Sequence, residues 1–142
     1  MIYLDTGCLL KLYYPEPESP RIVKLVSGKT IAFVALHELE LSNALELKVF
    51  RKEATSAQTR MTSALVEEDA RAGILYRPSL IWDDVLSEAT LMAKAHTRAL
   101  GCRSLDILHC AAAHSLSATS FVTTDARQRK LALKIGFACP GV

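Results

Sequence analysis

Met1-Ile2-Tyr3-Leu4-Asp5-Thr6 opens the chain, and this stretch decides the fold. Three apolar residues form a run of strand length, closed by a carboxylate and followed at once by a helix-like pattern. The same figure returns near the far end. Phe121-Val122-Thr123-Thr124-Asp125 is an apolar, β-branched run closed by an acid, ahead of a helical stretch over residues 126–134. If the two runs are strands of one parallel sheet, Asp5 and Asp125 project from the same edge into the same crevice.

Between these ends, short β-like runs alternate with longer helical ones. Further strands are predicted over residues 30–34 and 74–76, with a last short one over 136–139. Helices are predicted over residues 6–14, 20–26 with Ser19 as cap, 36–52, 56–72, 79–100, 105–116 and 126–134. Leu41, Ala44, Leu45 and Val49 fall on one stripe of the 36–52 helix, and Ile81, Val85, Ala89, Met92 and Ala93 on that of the 79–100 helix. Gly73 and Gly101 stand where left-handed helix ends belong. Pro15-Glu16-Pro17-Glu18-Ser19-Pro20 is a turn, since spaced prolines exclude a helix interior. Strands separated by helix-length returns imply an α/β fold whose parallel sheet is covered on both faces.

The chain's 142 residues, half of them apolar, suit a single domain over residues 1–142 and exclude a disordered tail-type protein. No apolar run reaches the roughly 18–20 residues of a membrane span, and the start reads as no signal peptide, so a cytoplasmic location is expected. Cys8, Cys102, Cys110 and Cys139 are scattered without a C-x-x-C pair, which argues for buried reduced thiols rather than a zinc knuckle or a disulfide framework. Seventeen basic against 15 acidic residues give a net charge of +2, which says little about partners until the charges are placed.

Two further acids sit at helix starts: Asp106 in the first turn of the 105–116 helix, and Glu40 near the start of the 36–52 helix. Four converging carboxylates have one well-known use, binding hard cations such as Mg²⁺ or Mn²⁺, which prefer oxygen donors. Without a cation, mutual repulsion is expected to leave one or more of them protonated at neutral pH. Each acid also has a plainer reading. Asp5 caps the next helix, Asp125 with Gln128 resembles a capping box, and Asp106 complements a helix dipole. Spacing alone does not rank Glu38, Glu40 and Glu46. His109, within Leu108-His109-Cys110-Ala111, reads as a packed core histidine, although Asp106-x-x-His109 shares one helix face. The six glycines are scattered and form no phosphate loop, and Ser42 and Ser104 lack an adjacent base.

At these residues the chain resembles the PIN-domain ribonucleases, and among them the VapC-type toxins of toxin-antitoxin pairs. Met1 to Thr6, Leu10-Lys11-Leu12-Tyr13 before the proline turn, Glu38-Leu39-Glu40-Leu41-Ser42-Asn43-Ala44-Leu45, Arg103-Ser104-Leu105-Asp106-Ile107-Leu108-His109 and Phe121 to Asp125 each match a family segment, in order. The resemblance implies a PIN-like three-layer fold, with a short central parallel sheet flanked by helices. It makes Asp5, Glu40, Asp106 and Asp125 the catalytic, metal-binding quartet, with Glu40 taking the helical place by its position before Asn43-Ala44-Leu45 and Glu38 as the unresolved rival. Asp5 and Asp106 are then the direct ligands, with Glu40 and Asp125 acting through water or a second ion. Thr6, Asn43 and Thr123 orient the acids from behind.

The expected activity is Mg²⁺- or Mn²⁺-dependent endoribonuclease cleavage, with a small antitoxin and a homodimeric toxin core as implied partners. Arg98, Arg103, Arg127, Arg129 and Lys130 flank the acid-bearing segments and are candidates for RNA phosphate contacts. An RNA-processing PIN nuclease without an antitoxin and a non-catalytic RNA-binding domain are the alternatives. A haloacid-dehalogenase-type phosphatase also begins with a strand ending in Asp, but here Gly7 stands where its second Asp is needed. Setting four acids aside leaves 11 acidic against 17 basic residues, so the small net charge conceals an acidic centre in a basic surround.

Overall fold

A computed structural model describes residues 1–142. The elements run β1 (Ile2–Leu4), α1 (Thr6–Leu10), α2 (Ser19–Val26), β2 (Ile31–Ala32), α3 (Ala35–Phe50), α4 (Ser56–Arg71), β3 (Leu75–Tyr76), α5 (Trp82–Leu100), α6 (Ser104–Ser115), β4 (Ser120–Val122) and α7 (Ala126–Lys134). The strands form one sheet in the order β3-β2-β1-β4, every pairing parallel, with Ile2 opposite Ile31 and Leu4 opposite Val122. The fold is thus the expected α/β arrangement with a short parallel sheet between helices. No helix is long and apolar enough to cross a membrane.

Alternation along the strands sorts the core into two layers. Tyr3, Ala32 and Phe121 point to one face, where α5, α6 and α7 contribute Val85, Met92, Ile107, Cys110 and Leu131. Ile2, Leu4, Ile31, Leu75 and Val122 point to the other, against Leu9, Ile22, Leu41, Leu45 and Val66 of α1 to α4. Both faces are apolar because both are covered, which is why the strands read as continuous apolar runs rather than as alternating ones.

The chain leaves β1 toward β2 and β3, then returns to the opposite side of β1 as β4. The strand order therefore reverses between β1 and β4, and the crevice beyond their carboxyl ends is where such sheets bind ligands. Asp5 follows β1 and Asp125 follows β4. The Asp5 amide extends the ladder by donating to the Val122 carbonyl at 2.9 Å.

Several boundaries differ from the sequence reading. The first helix stops at Leu10 rather than Tyr14, tightening into i→i+3 bonds from Leu12 and Tyr13, because the residue before Pro15 is driven out of helical geometry. Ser19 does not cap α2. Glu18 holds that place, while the Ser19 hydroxyl donates to the Lys11 carbonyl at 2.6 Å and accepts from the Glu16 amide, closing the proline turn onto α1. The 136–139 strand reduces to one parallel bridge between Ser120 and Ala138. Ile81 is exposed at the head of α5 rather than on its buried stripe, which begins at Val85. Gly73 and Gly101 do take the left-handed conformation, with φ of 77° and 66°.

Candidate metal and catalytic site

Asp5, Glu40, Asp106 and Asp125 line one cleft of about 170 Å³, together with Thr6, Gly7, Arg103, Leu105, His109 and Gln128. The four acids come from four elements: the end of β1, the second turn of α3, the first turn of α6 and the N-cap of α7. Of the helical glutamates, Glu40 faces the cleft. Glu38 turns away to Arg77, 3.0 Å from its guanidinium, and Glu46 is exposed.

The two strand-end acids make the bonds of helix caps while bordering the cleft. Asp5 Oδ1 accepts from the Cys8 amide at 2.6 Å and so caps α1, while Oδ2 accepts from the Thr123 hydroxyl at 2.5 Å. Thr123 Oγ1 in turn accepts from the Asp125 amide at 2.9 Å, so one hydroxyl fixes both acids across the β1–β4 switch point. Asp125 Oδ1 accepts from the amides of Arg127 and Gln128. The expected capping box is only half made, because Gln128 does not reach back to Asp125 but donates to the Asp106 carbonyl at 3.3 Å. Gln128 Oε1 is left as a buried acceptor with no partner, at the wall of the acidic cleft.

Arg103 bridges the other pair. Its Nε lies 3.3 Å from Asp106 and its Nη2 3.2 Å from Asp125, although the side chain is 66% exposed. An exposed pair of this kind is weak, of order 0–1 kcal/mol, and readily rearranged by a competing ligand. The expectation that crowding protonates the acids is not met at two of them. Burial pushes the Glu40 carboxyl up, but hydrogen bonds from His109 and Thr6 overcome it and hold the group below the usual range. Asp125 is likewise held low, first by the Gln128 amide, then by the Arg127 amide and the Arg103 charge.

Below Glu40 lies a polar chain that joins Thr6, expected to orient an acid, with His109, whose sequence context reads as core packing. The Thr6 hydroxyl donates to Glu40 Oε2 at 2.5 Å, His109 Nε2 lies 2.5 Å from the same oxygen, and His109 Nδ1 lies 2.9 Å from the Tyr3 hydroxyl. The i,i+3 spacing of Asp106 and His109 was the available signal, since it places the imidazole on the helix face of a site acid.

Asn43 lies outside this network. It is exposed and lines an adjoining hollow of about 470 Å³ with Leu10, Leu39, Leu47 and Leu105. Among the candidate phosphate contacts, Arg103 is in the cleft and Arg127 is exposed beside it. Arg129 instead donates to the carbonyls of Cys139 and Pro140 and pins the C-terminal segment. Cys8, Cys102 and Cys110 are buried and Cys139 half-buried; all four thiols are free, and burial raises each above its ordinary pKa.

In the conformation described, no three acidic, histidine or cysteine side chains close around a point by themselves. The donor set nevertheless fits a hard divalent cation. The four acids offer oxygen ligands, and His109, the imidazole lining the cleft, already has both nitrogens engaged by Glu40 and Tyr3. Mg²⁺ is ordinarily held by one or two carboxylates and keeps several waters, so a full protein cage is not required.

Comparison with known proteins agrees with the architecture. The PIN domain family matches residues 2–134. The solved FitAcB structure from Neisseria gonorrhoeae superposes with a TM-score of 0.59 at 18% identity, covering 98% of this chain and 96% of that one. VapBC2 from Rickettsia felis, solved with a DNA fragment from its promoter, gives 0.63 at 14% identity, covering 99% and 98%. No curated protein matches in sequence. With the family matched over nearly its whole length and the parallel sheet in place, the chain belongs to the PIN domain family.

Proposed function

We propose that this chain is a divalent-cation-dependent endoribonuclease and the toxin of a toxin-antitoxin pair. The observation that carries the reading is the convergence of Asp5, Glu40, Asp106 and Asp125 from four elements on one cleft at the β1–β4 switch point. PIN domains are generally nucleases, which supports phosphodiester hydrolysis as the chemistry.

Asp5 and Asp106 would hold Mg²⁺ or Mn²⁺, with Glu40 and Asp125 binding its waters or a second ion. When bound, such a cation lowers the pKa of water and offsets charge developing on the phosphate. Thr123 keeps the Asp5 carboxylate facing its partners, and Thr6 and His109 do the same for Glu40. Arg103, exposed and only weakly paired with Asp106 and Asp125, would be able to turn to an RNA phosphate. Arg127, exposed on the first turn of α7, extends this basic flank.

Three observations support a protein partner. One of the similar structures is VapBC2, and the chain resembles the VapC-type toxins in sequence. The apolar hollow beside the cleft, with Leu39 68% and Leu105 49% exposed, also offers a surface that a small antitoxin would cover. A homodimeric toxin core and a cytoplasmic location belong to the same reading.

The test is incubation of purified protein with total RNA and Mn²⁺, followed by mapping of the cut ends. Attack by water rather than by the ribose 2′-hydroxyl predicts internal cuts with no 2′,3′-cyclic phosphate. Intact RNA, or cyclic phosphate ends, would contradict the proposal. Searching for a short reading frame adjoining the gene and co-expressing its product tests the partner, with a stable complex that no longer cuts RNA as the expected result.

A further inference from the structure

His109 is 3% exposed and Tyr3 fully buried, yet the two are joined end to end with the one site acid that stands on α3. The Tyr3 ring is fixed by Phe121, stacked at 5.4 Å, and by His37 at 4.8 Å, so its hydroxyl has little freedom. Counting hydrogens sets the direction of the chain. A carboxylate only accepts, so His109 Nε2 carries the hydrogen toward Glu40. A neutral imidazole then accepts at Nδ1, and the Tyr3 hydroxyl donates to it. The opposite case, an imidazolium with hydrogen on both nitrogens, would leave the buried Tyr3 hydrogen without an acceptor.

Both tethers of Glu40, from Thr6 and from His109, end on Oε2, whereas the carboxylate also borders the acidic cleft. Oε1 thereby keeps no protein partner. An apolar residue would fill the His109 position with less polar burial, and a solvated glutamate on α3 would need no partner from the core.

Building on the reading of the cleft as a cation site, we propose that His109 is a positioning residue. A one-way track from Tyr3 through His109 to Glu40 holds Oε2 and presents Oε1 to the cation and its waters. The track spans three elements, β1, α6 and α3, so it also ties the acid to the sheet that carries Asp5.

Imidazole ¹H–¹⁵N spectra of the full chain in chelator test the track without RNA or metal. The expected result is His109 as the Nε2–H tautomer, its Nε2 proton moving in Glu40→Gln and the tautomers mixing in Tyr3→Phe. Hydrogen on Nδ1, or an Nε2 signal indifferent to Glu40→Gln, overturns the track. Mn²⁺ titration by calorimetry then tests positioning. His109→Leu should weaken binding about 10- to 100-fold, the range for residues that orient metal ligands. His109→Gln, whose amide hydrogen takes the Nε2 place, should recover most of it. In a Glu40→Gln background, His109→Leu should cost less than about twofold, because the coupled partner is already gone. Equal loss in His109→Leu and His109→Gln at matched unfolding midpoints, or an undiminished loss in the Glu40→Gln background, overturns positioning. A wild-type chain that binds no Mn²⁺ overturns the proposed function instead, and the spectra still decide the track.

Discussion

At the scale of single residues, one hydroxyl does more than its size suggests. Thr123 Oγ1 donates to Asp5 and accepts from the amide of Asp125, so it sets both acids at once. Thr123→Val keeps the shape and removes both bonds. RNA cleavage should fall about 10- to 100-fold while Thr123→Ser stays near wild type, as measured by initial rates on one RNA. His37 governs a different property. It is buried at the start of α3, with Nδ1 accepting from the Val34 amide and Nε2 donating to the Leu4 carbonyl, so it has no place for a second proton. Burial pushes its pKa down from 6.5 to about 3. The unfolded chain takes up that proton between about pH 6.5 and 3 and the folded chain does not, so stability falls as pH drops through this window. Urea midpoints should decline from pH 7 to pH 4, and less steeply in His37→Gln, which keeps an acceptor for the Val34 amide. An equal slope in the variant would remove His37 as the cause.

At the scale of elements, helix ends set the geometry. Gly101 ends α5 at φ 66° and hands the chain to Arg103 and Asp106. Gly101→Ala forces a side chain into that left-handed turn and should destabilise the protein by about 1 kcal/mol in urea unfolding, with a larger relative loss of activity because the α6 start shifts. The sequence already placed α3 to α7 within a few residues, since their apolar stripes are long and their ends carry clear stop signals. It missed where polar side chains turn. Ser19 looked like a cap but closes the proline turn, and Gln128 looked like half of a capping box but faces the acidic cleft. Such choices between neighbouring donors and acceptors are settled by tertiary contacts that no local pattern encodes. His109 is the clearest case. Its neighbours in sequence are apolar, whereas its partners Tyr3 and Glu40 lie 106 and 69 residues away.

At the scale of the whole molecule, the sheet order explains why acids distant in sequence meet. Reversal between β1 and β4 opens a crevice that receives the N-termini of α6 and α7 beside the ends of two strands, while α3 brings Glu40 in from the opposite layer. Charge is divided accordingly, with the acids and Arg103 lining the cleft and Arg127 exposed beside it. RNA binding by the uncleaving Asp5→Asn protein should therefore weaken steeply with salt, and the slope of log affinity against log salt should flatten by about 1 in Arg127→Ala. An unchanged slope would take Arg127 out of the RNA path. The account as a whole stands on the acidic cleft being the place where RNA is cut. The most direct measurement is the cleavage rate of a single RNA in Mn²⁺ by wild-type and Asp5→Asn proteins with matched unfolding midpoints, each with and without excess chelator. The account predicts cleavage by the wild-type protein with Mn²⁺ and by no other combination; full activity in Asp5→Asn, or in chelator, would contradict it.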